Sequence, residues 1–193
     1  MSHDLIGRKV AILATDGFEQ DELLSPLEAL KSAGAETKVV SLNKGEIKGW
    51  HHDHWGKHVK VDVLVDEANA GEYDALVLPG GVMNPDHLRR NPRVLSFVKE
   101  FFRAGKPVGA ICHGPWTLID AGVVQGRRVT SYESIQTDLI NAGAEWVDEE
   151  VVVDHGLITS RKPDDLPAFN ASLIEEIIES AYEHEHPAVT LAA

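Results

Sequence analysis

Short apolar runs alternate with stretches of helical periodicity along the chain. Residues 9–13 read Lys-Val-Ala-Ile-Leu, and similar runs recur at 37–42, 75–78, 107–111 and 151–153. Continuous runs of this length suit strands buried on both faces of a parallel sheet. A further strand is expected over 59–65. Between the runs, Leu23, Leu24, Leu27 and Leu30 fall on one helical face, and Gly34 stops that helix. Val94, Phe97, Val98, Phe101 and Phe102 mark a second helix, with Asn91 as its N-cap, Pro92 in its first turn and Gly105 beyond its end. Leu173, Ile174, Ile177, Ile178 and Ala181 stripe a third, over 165–183, with Asp164 and Asp165 at its start. Alternation of this kind implies an α/β doubly wound sheet with helices on both faces. No repeat or internal linker interrupts it. One domain over 1–193 is expected, with 184–193 as a loose tail or docking segment beyond the point where Pro187 breaks the pattern.

One junction carries chemistry. The strand at 107–111 runs directly into Cys112-His113-Gly114-Pro115, and a helical stretch follows at 116–121. Small residues, Ala110 and Gly114, stand two positions to either side of Cys112. That spacing is the steric signature of a nucleophile elbow, whose sharp turn tolerates only small neighbours. Such a turn presents the nucleophile at the C-terminal end of the sheet, where α/β proteins bind ligands. A helix start there lowers a thiol pKa and supplies N–H groups for an oxyanion. Gly80 and Gly81, just after the strand at 75–78, are candidates for a second wall of donors.

Composition narrows the partners. With 18 Lys and Arg against 31 Asp and Glu, the formal net charge is −13. Nucleic-acid binding and adsorption to an anionic membrane both need clustered basic residues, so neither is expected. No apolar run approaches a bilayer span, and the first nine residues have no signal-peptide core, so a cytoplasmic location is expected. A single cysteine excludes an intramolecular disulfide and any Cys-cluster zinc site. His51, His52, Asp53, His54 and His58 form a tract rich in metal-ligand types, but its glycines and tryptophans suggest a loop, and no metal site or cofactor is expected there or at His184 and His186.

The stretch Ala110-Ile111-Cys112-His113-Gly114-Pro115 resembles the nucleophile motif of the PfpI intracellular protease family. That family lies in the superfamily of the parkinsonism-associated deglycase and the class I glutamine amidotransferases. Thr15-Asp16-Gly17-Phe18-Glu19, Ala75-Leu76-Val77-Leu78-Pro79-Gly80-Gly81, Asn141-Ala142-Gly143-Ala144-Glu145-Trp146 and Thr159-Ser160-Arg161 extend the resemblance, which is nearest to bacterial general-stress members. It implies a flavodoxin-like three-layer sandwich and a homodimer or larger homo-oligomer. It implies Cys112 as nucleophile and Glu19 as the acid against it, with a raised pKa because two like charges cannot both ionise cheaply. His113 is the family's base, oriented by an acid from a neighbouring subunit. Adjacent residues at a tight turn usually point apart, so His113 serves either as that base or as a source of N–H and pocket wall. Asp86 lies where the family carries the orienting Glu, but it is one methylene shorter and follows a longer loop; a helix N-cap is its other reading. Trp116 lines the pocket or packs beneath the elbow.

These residues imply a cysteine-dependent hydrolase whose thiolate attacks a carbonyl, acting on peptides or on small reactive aldehydes and their adducts. The alternative is a non-catalytic stress protein or chaperone in which Cys112 senses oxidants. A glutamine amidotransferase would need a late His followed two residues on by Glu; His155, His184 and His186 all lack it.

Overall fold

The computed structural model describes residues 5–185, with side chains through residue 182. In chain order the strands are β1 (Lys9–Leu13), β2 (Glu36–Ser41), β3 (Glu46–His51), β4 (His54–Lys60), β5 (Val63–Leu64), β6 (Ala75–Leu78), β7 (Val108–Ile111), β8 (Arg128–Val129), β9 (Glu145–Trp146), β10 (Val151–Asp154) and β11 (Leu157–Ser160). The helices are α1 (Gln20–Ser32), α2 (Met83–Leu88), α3 (Pro92–Arg103), α4 (Pro115–Asp120), α5 (Gln136–Asn141) and α6 (Leu166–Glu185). Seven strands form the main sheet in the order β10-β11-β7-β6-β1-β2-β5. All its pairings are parallel except β10 with β11. This is the mostly parallel sandwich that the alternating pattern implies.

Apolar cores lie on both faces of the sheet. Leu76, Leu78, Val94, Phe97, Phe101 and Val108 belong to one, and Val10, Ile12, Leu23, Leu30, Phe169 and Leu173 to the other. Fully buried β6 and β7, and β1 after Lys9, therefore read as continuous apolar runs. Asn91 caps α3 as expected, accepting from Arg93 and Val94 N–H.

Three expectations differ. Residues 151–153 form an antiparallel edge strand rather than a buried parallel one, and Val153 is 44% exposed. The parallel neighbour of β7 is instead β11, whose polar Thr159 and Ser160 are fully buried. The expected strand over 59–65 is divided: β4 pairs with β3 as an antiparallel hairpin, and β5 joins the main sheet. Asp62 makes the break by accepting from Val39 N–H at 2.8 Å. The third helix runs to Glu185, two residues into the expected tail; the remainder of that tail lies outside the described residues.

The chain steps from β1 to β2 on one side and returns to β6, β7 and β11 on the other. This reversal opens a crevice at the carboxyl ends of β1 and β6, where open α/β sheets bind ligands. The loop after β1, the Pro79-Gly80-Gly81 turn after β6 and the elbow after β7 meet there.

Candidate active site

Cys112 sits at the end of β7 with φ +62°. A non-glycine residue in this region costs on the order of 1–3 kcal/mol and persists only when its surroundings fix it. The Cys112 N–H donates to Ser160 O at 3.0 Å, and its carbonyl accepts from Tyr132 N–H at 3.0 Å. A Cβ on Gly114 would lie 2.5 Å from Leu78 O, which explains the small residue there. The strained elbow inferred from spacing is therefore present. Cys112 is buried, 6% exposed.

The acid beside the thiol is Glu22, not Glu19. Glu19 is the N-cap of α1, and its Oε2 accepts from Glu22 N–H at 2.9 Å. A capping side chain turns back over the first helical turn, so it cannot also reach the elbow. Glu22, one turn further on, is fully buried; its carboxyl and Cys112 Cβ both crowd Gly80, close enough for each group to shift the other's ionisation. Its Oε2 accepts from Gly80 N–H at 2.9 Å, and Oε1 takes no conventional hydrogen bond. A Cβ on Gly80 would lie 2.5 Å from Glu22 Oε2 and 2.7 Å from Cys112 Cβ, so only glycine lets carboxyl and sulfur meet. Gly80 N–H is thus spent on Glu22. The N–H groups that approach the sulfur are those of Gly81 and His113. Asn84, fully buried in α2, holds this wall: its amide donates to Pro79 O and Gly80 O, and its Oδ1 accepts from Thr15 N–H at 2.8 Å.

Burial, and then the charge of Glu19, push the Glu22 carboxyl up to about 8. Glu22 is therefore the carboxylic acid at neutral pH, without charge and with an O–H to give. The expectation of a thiol lowered by a helix start is corrected. Burial raises the Cys112 thiol, and an ionised Glu22 raises it further; the Gly81 and His113 N–H groups oppose this. The six-residue α4 is too short and the site too dry for the helix end to dominate.

His113 does reach the sulfur. Its Nδ1 lies 3.2 Å from Cys112 Sγ and its Nε2 3.0 Å from Ser134 Oγ. The ring stacks on Tyr132 at 4.9 Å and 24° and meets Trp116 edge-on at 5.3 Å. Those rings turn it back toward its neighbour, against the usual divergence of adjacent side chains. Burial lowers the His113 pKa, leaving a neutral imidazole able to accept a proton. Trp116 packs partly against the core, and its Nε1 donates to Asp138 Oδ2 at 2.7 Å. Asp86 lies exposed within α2, whose N-cap is Val82, so the capping reading of Asp86 is also corrected.

The histidine tract forms the turn of the β3–β4 hairpin, and that hairpin packs on the loop that carries Glu19. Trp50 N–H donates to Phe18 O at 2.7 Å, and Gln20 Oε1 accepts from Lys57 N–H at 2.8 Å. Among the described residues no cluster of three or more His, Cys, Asp or Glu has the geometry of a metal site.

A thiol on a strained strand-to-helix turn, flanked by a neutral acid and a neutral imidazole at the carboxyl edge of a parallel sheet, defines the cysteine-nucleophile class of α/β proteins. The chain belongs to the DJ-1/PfpI family, which it matches over residues 8–176. It is 46% identical over 167 residues to the deglycase PfpI of Pyrococcus furiosus, covering 86% of this chain and 98% of that protein. It is also 46% identical over 167 residues to general stress protein 18 of Bacillus subtilis, covering 86% and 95%. The crystal structure of DJ-1β from Drosophila melanogaster superposes with a TM-score of 0.80 at 26% identity, covering 96% of this chain and 98% of that one.

Proposed function

We propose that this protein is a cysteine-dependent hydrolase of small reactive α-oxoaldehydes and their early adducts. The carrying observation is the Cys112 thiol held between His113 Nδ1 and the buried Glu22 carboxyl. Similarity to a protein named a deglycase supports the same substrate class.

Methylglyoxal presents its aldehyde carbon to the thiol. The S–H bond breaks, its proton passes to His113 Nδ1, and Sγ bonds to the aldehyde carbon. The carbonyl pair becomes an alkoxide, which the Glu22 O–H protonates to give a hemithioacetal. The C1 proton then passes through the Glu22 carboxylate to C2, while the hydroxyl proton moves from one oxygen to the other. A lactoyl thioester results. Water adds to its carbonyl and gives a proton to Glu22; the C–S bond breaks and the sulfur regains its proton from His113. One water is consumed, lactate is released and no oxidant is needed.

The neutral, buried Glu22 suits this proton shuttle. A peptidase is supported less, because His113 Nε2, which an orienting acid from a neighbouring subunit would have to reach, already meets Ser134 Oγ within the chain. An oxidant sensor is also supported less, because it calls for an exposed, low-pKa thiolate and Cys112 is buried with its pKa raised. A free thiol suits a reducing, cytosolic setting. No helix among the described residues is long and apolar enough to cross a membrane. Exposed Val82 and Trp55, on segments beside the site, suit contact between copies of this chain in a homodimer or larger assembly.

The test is proton NMR of methylglyoxal incubated with the protein, beside cleavage of labelled casein. Lactate above the protein-free blank with intact casein is the expected result. Casein cleavage without lactate would replace this reading by the peptidase one.

A further inference from the structure

One contact of the site takes no part in these proton transfers, the 3.0 Å approach of His113 Nε2 to Ser134 Oγ. A neutral imidazole carries its proton on one nitrogen only, and the partner of the other nitrogen decides which. To take the thiol proton, Nδ1 must present its lone pair to Cys112 Sγ, 3.2 Å away. The ring proton must then sit on Nε2, where a hydrogen-bond acceptor stabilises it. Ser134 Oγ has lone pairs to offer.

A hydroxyl suits this place better than a carboxylate. An anion beside Nε2 would raise the His113 pKa and hold the ring as imidazolium, which has no lone pair for the thiol. Ser134 brings no charge, so burial keeps the ring neutral. The backbone fixes the spacing. Ser134 lies in the single turn Glu133–Ile135, where Ile135 N–H donates to Tyr132 O at 3.2 Å. Tyr132 N–H donates in turn to Cys112 O, tying that turn to the elbow, while the Tyr132 ring holds the imidazole plane.

We infer that Ser134 is the positioning residue of His113, holding it in the tautomer whose Nδ1 accepts the Cys112 proton. This rests on the reading of Cys112 as nucleophile and His113 as its base.

The test compares Ser134→Ala and Ser134→Thr with wild type by two readouts. Alkylation of Cys112 by iodoacetamide, followed by intact mass from pH 5 to 9, needs no substrate. Steady-state kinetics on methylglyoxal separate kcat from KM. Ser134→Ala is expected to slow alkylation at neutral pH and to lower kcat by about tenfold at unchanged KM, a part of what a general base contributes. Ser134→Thr, which keeps the hydroxyl, is expected to restore both. The difference between wild type and Ser134→Ala is expected to vanish as the pH falls through the His113 range, since the imidazolium has no tautomers to choose between. Wild-type behaviour of Ser134→Ala overturns the inference, as does equal impairment of Ser134→Thr. If wild type makes no lactate but alkylation still falls in Ser134→Ala and recovers in Ser134→Thr, the aldehyde reading fails and the role of Ser134 stands.

Discussion

Cys112→Ala is expected to reduce lactate formation from methylglyoxal to the protein-free rate, a loss of about 10³-fold or more, because the covalent route loses its only nucleophile. Cys112→Ser is expected to be equally silent. Its hydroxyl holds its proton far more tightly than a thiol, and a neutral imidazole at 3.2 Å gives it no stronger base. Neither change should disturb the fold. The elbow is held by backbone hydrogen bonds to Ser160 and Tyr132, and alanine and serine meet the same conformational constraint at φ +62° that cysteine already meets. Kinetics with a matched thermal-unfolding scan check both points. Residual turnover in a folded Cys112→Ala protein would move the chemistry to another residue.

Glu22→Gln and Glu19→Ala separate two acids that lie one helical turn apart. Glu22→Gln keeps the shape, the neutrality at pH 7 and an acceptor for Gly80 N–H, but has no proton to give. It is expected to lower kcat/KM for methylglyoxal by about 10²-fold, within the range of a lost general acid. Glu19→Ala removes an N-cap and is expected to cost about 1 kcal/mol of stability while leaving kcat/KM nearly unchanged. Stability gives a second handle on Glu22. Its folded pKa is raised from 4.5 to about 8, so its contribution is fully present below pH 4.5 and is lost as pH rises toward 8. Wild type is therefore expected to unfold at a lower temperature at pH 9 than Glu22→Gln, with the two converging toward pH 5.

The sheet was legible because its central strands are buried on both faces and carry few polar residues. The elbow was legible because close packing enforces small residues at fixed offsets, as the 2.5 Å approach to Leu78 O shows for Gly114. β11 was hidden by Thr159 and Ser160, whose polar side chains sit fully buried in the sheet. The direction of β10 was hidden because periodicity reports burial and not strand polarity. The exchange of Glu19 for Glu22 has a sharper cause. A helix start carries several acids for capping and dipole reasons, and motif position alone favoured the first. Glu22 had its own signal: it stands four and eight residues before Pro26 and Leu30, on the buried face of α1. An acid in that face needs a function or a partner. His113 and Ser134 lie 21 residues apart, and only the folded chain brings them together.

In this reading one neutral acid and one neutral base flank one thiol. The decisive measurement is the pH dependence of kcat/KM for methylglyoxal between pH 5 and 10, with Cys112→Ala subtracted as the blank. Activity should fall at low pH as His113 gains a proton below its ordinary range, and fall again as pH rises through about 8, where Glu22 loses the proton it must donate. A rate that climbs steadily to pH 10, as a simple thiol titrating without a neutral acid beside it would give, would exclude Glu22 as the proton donor.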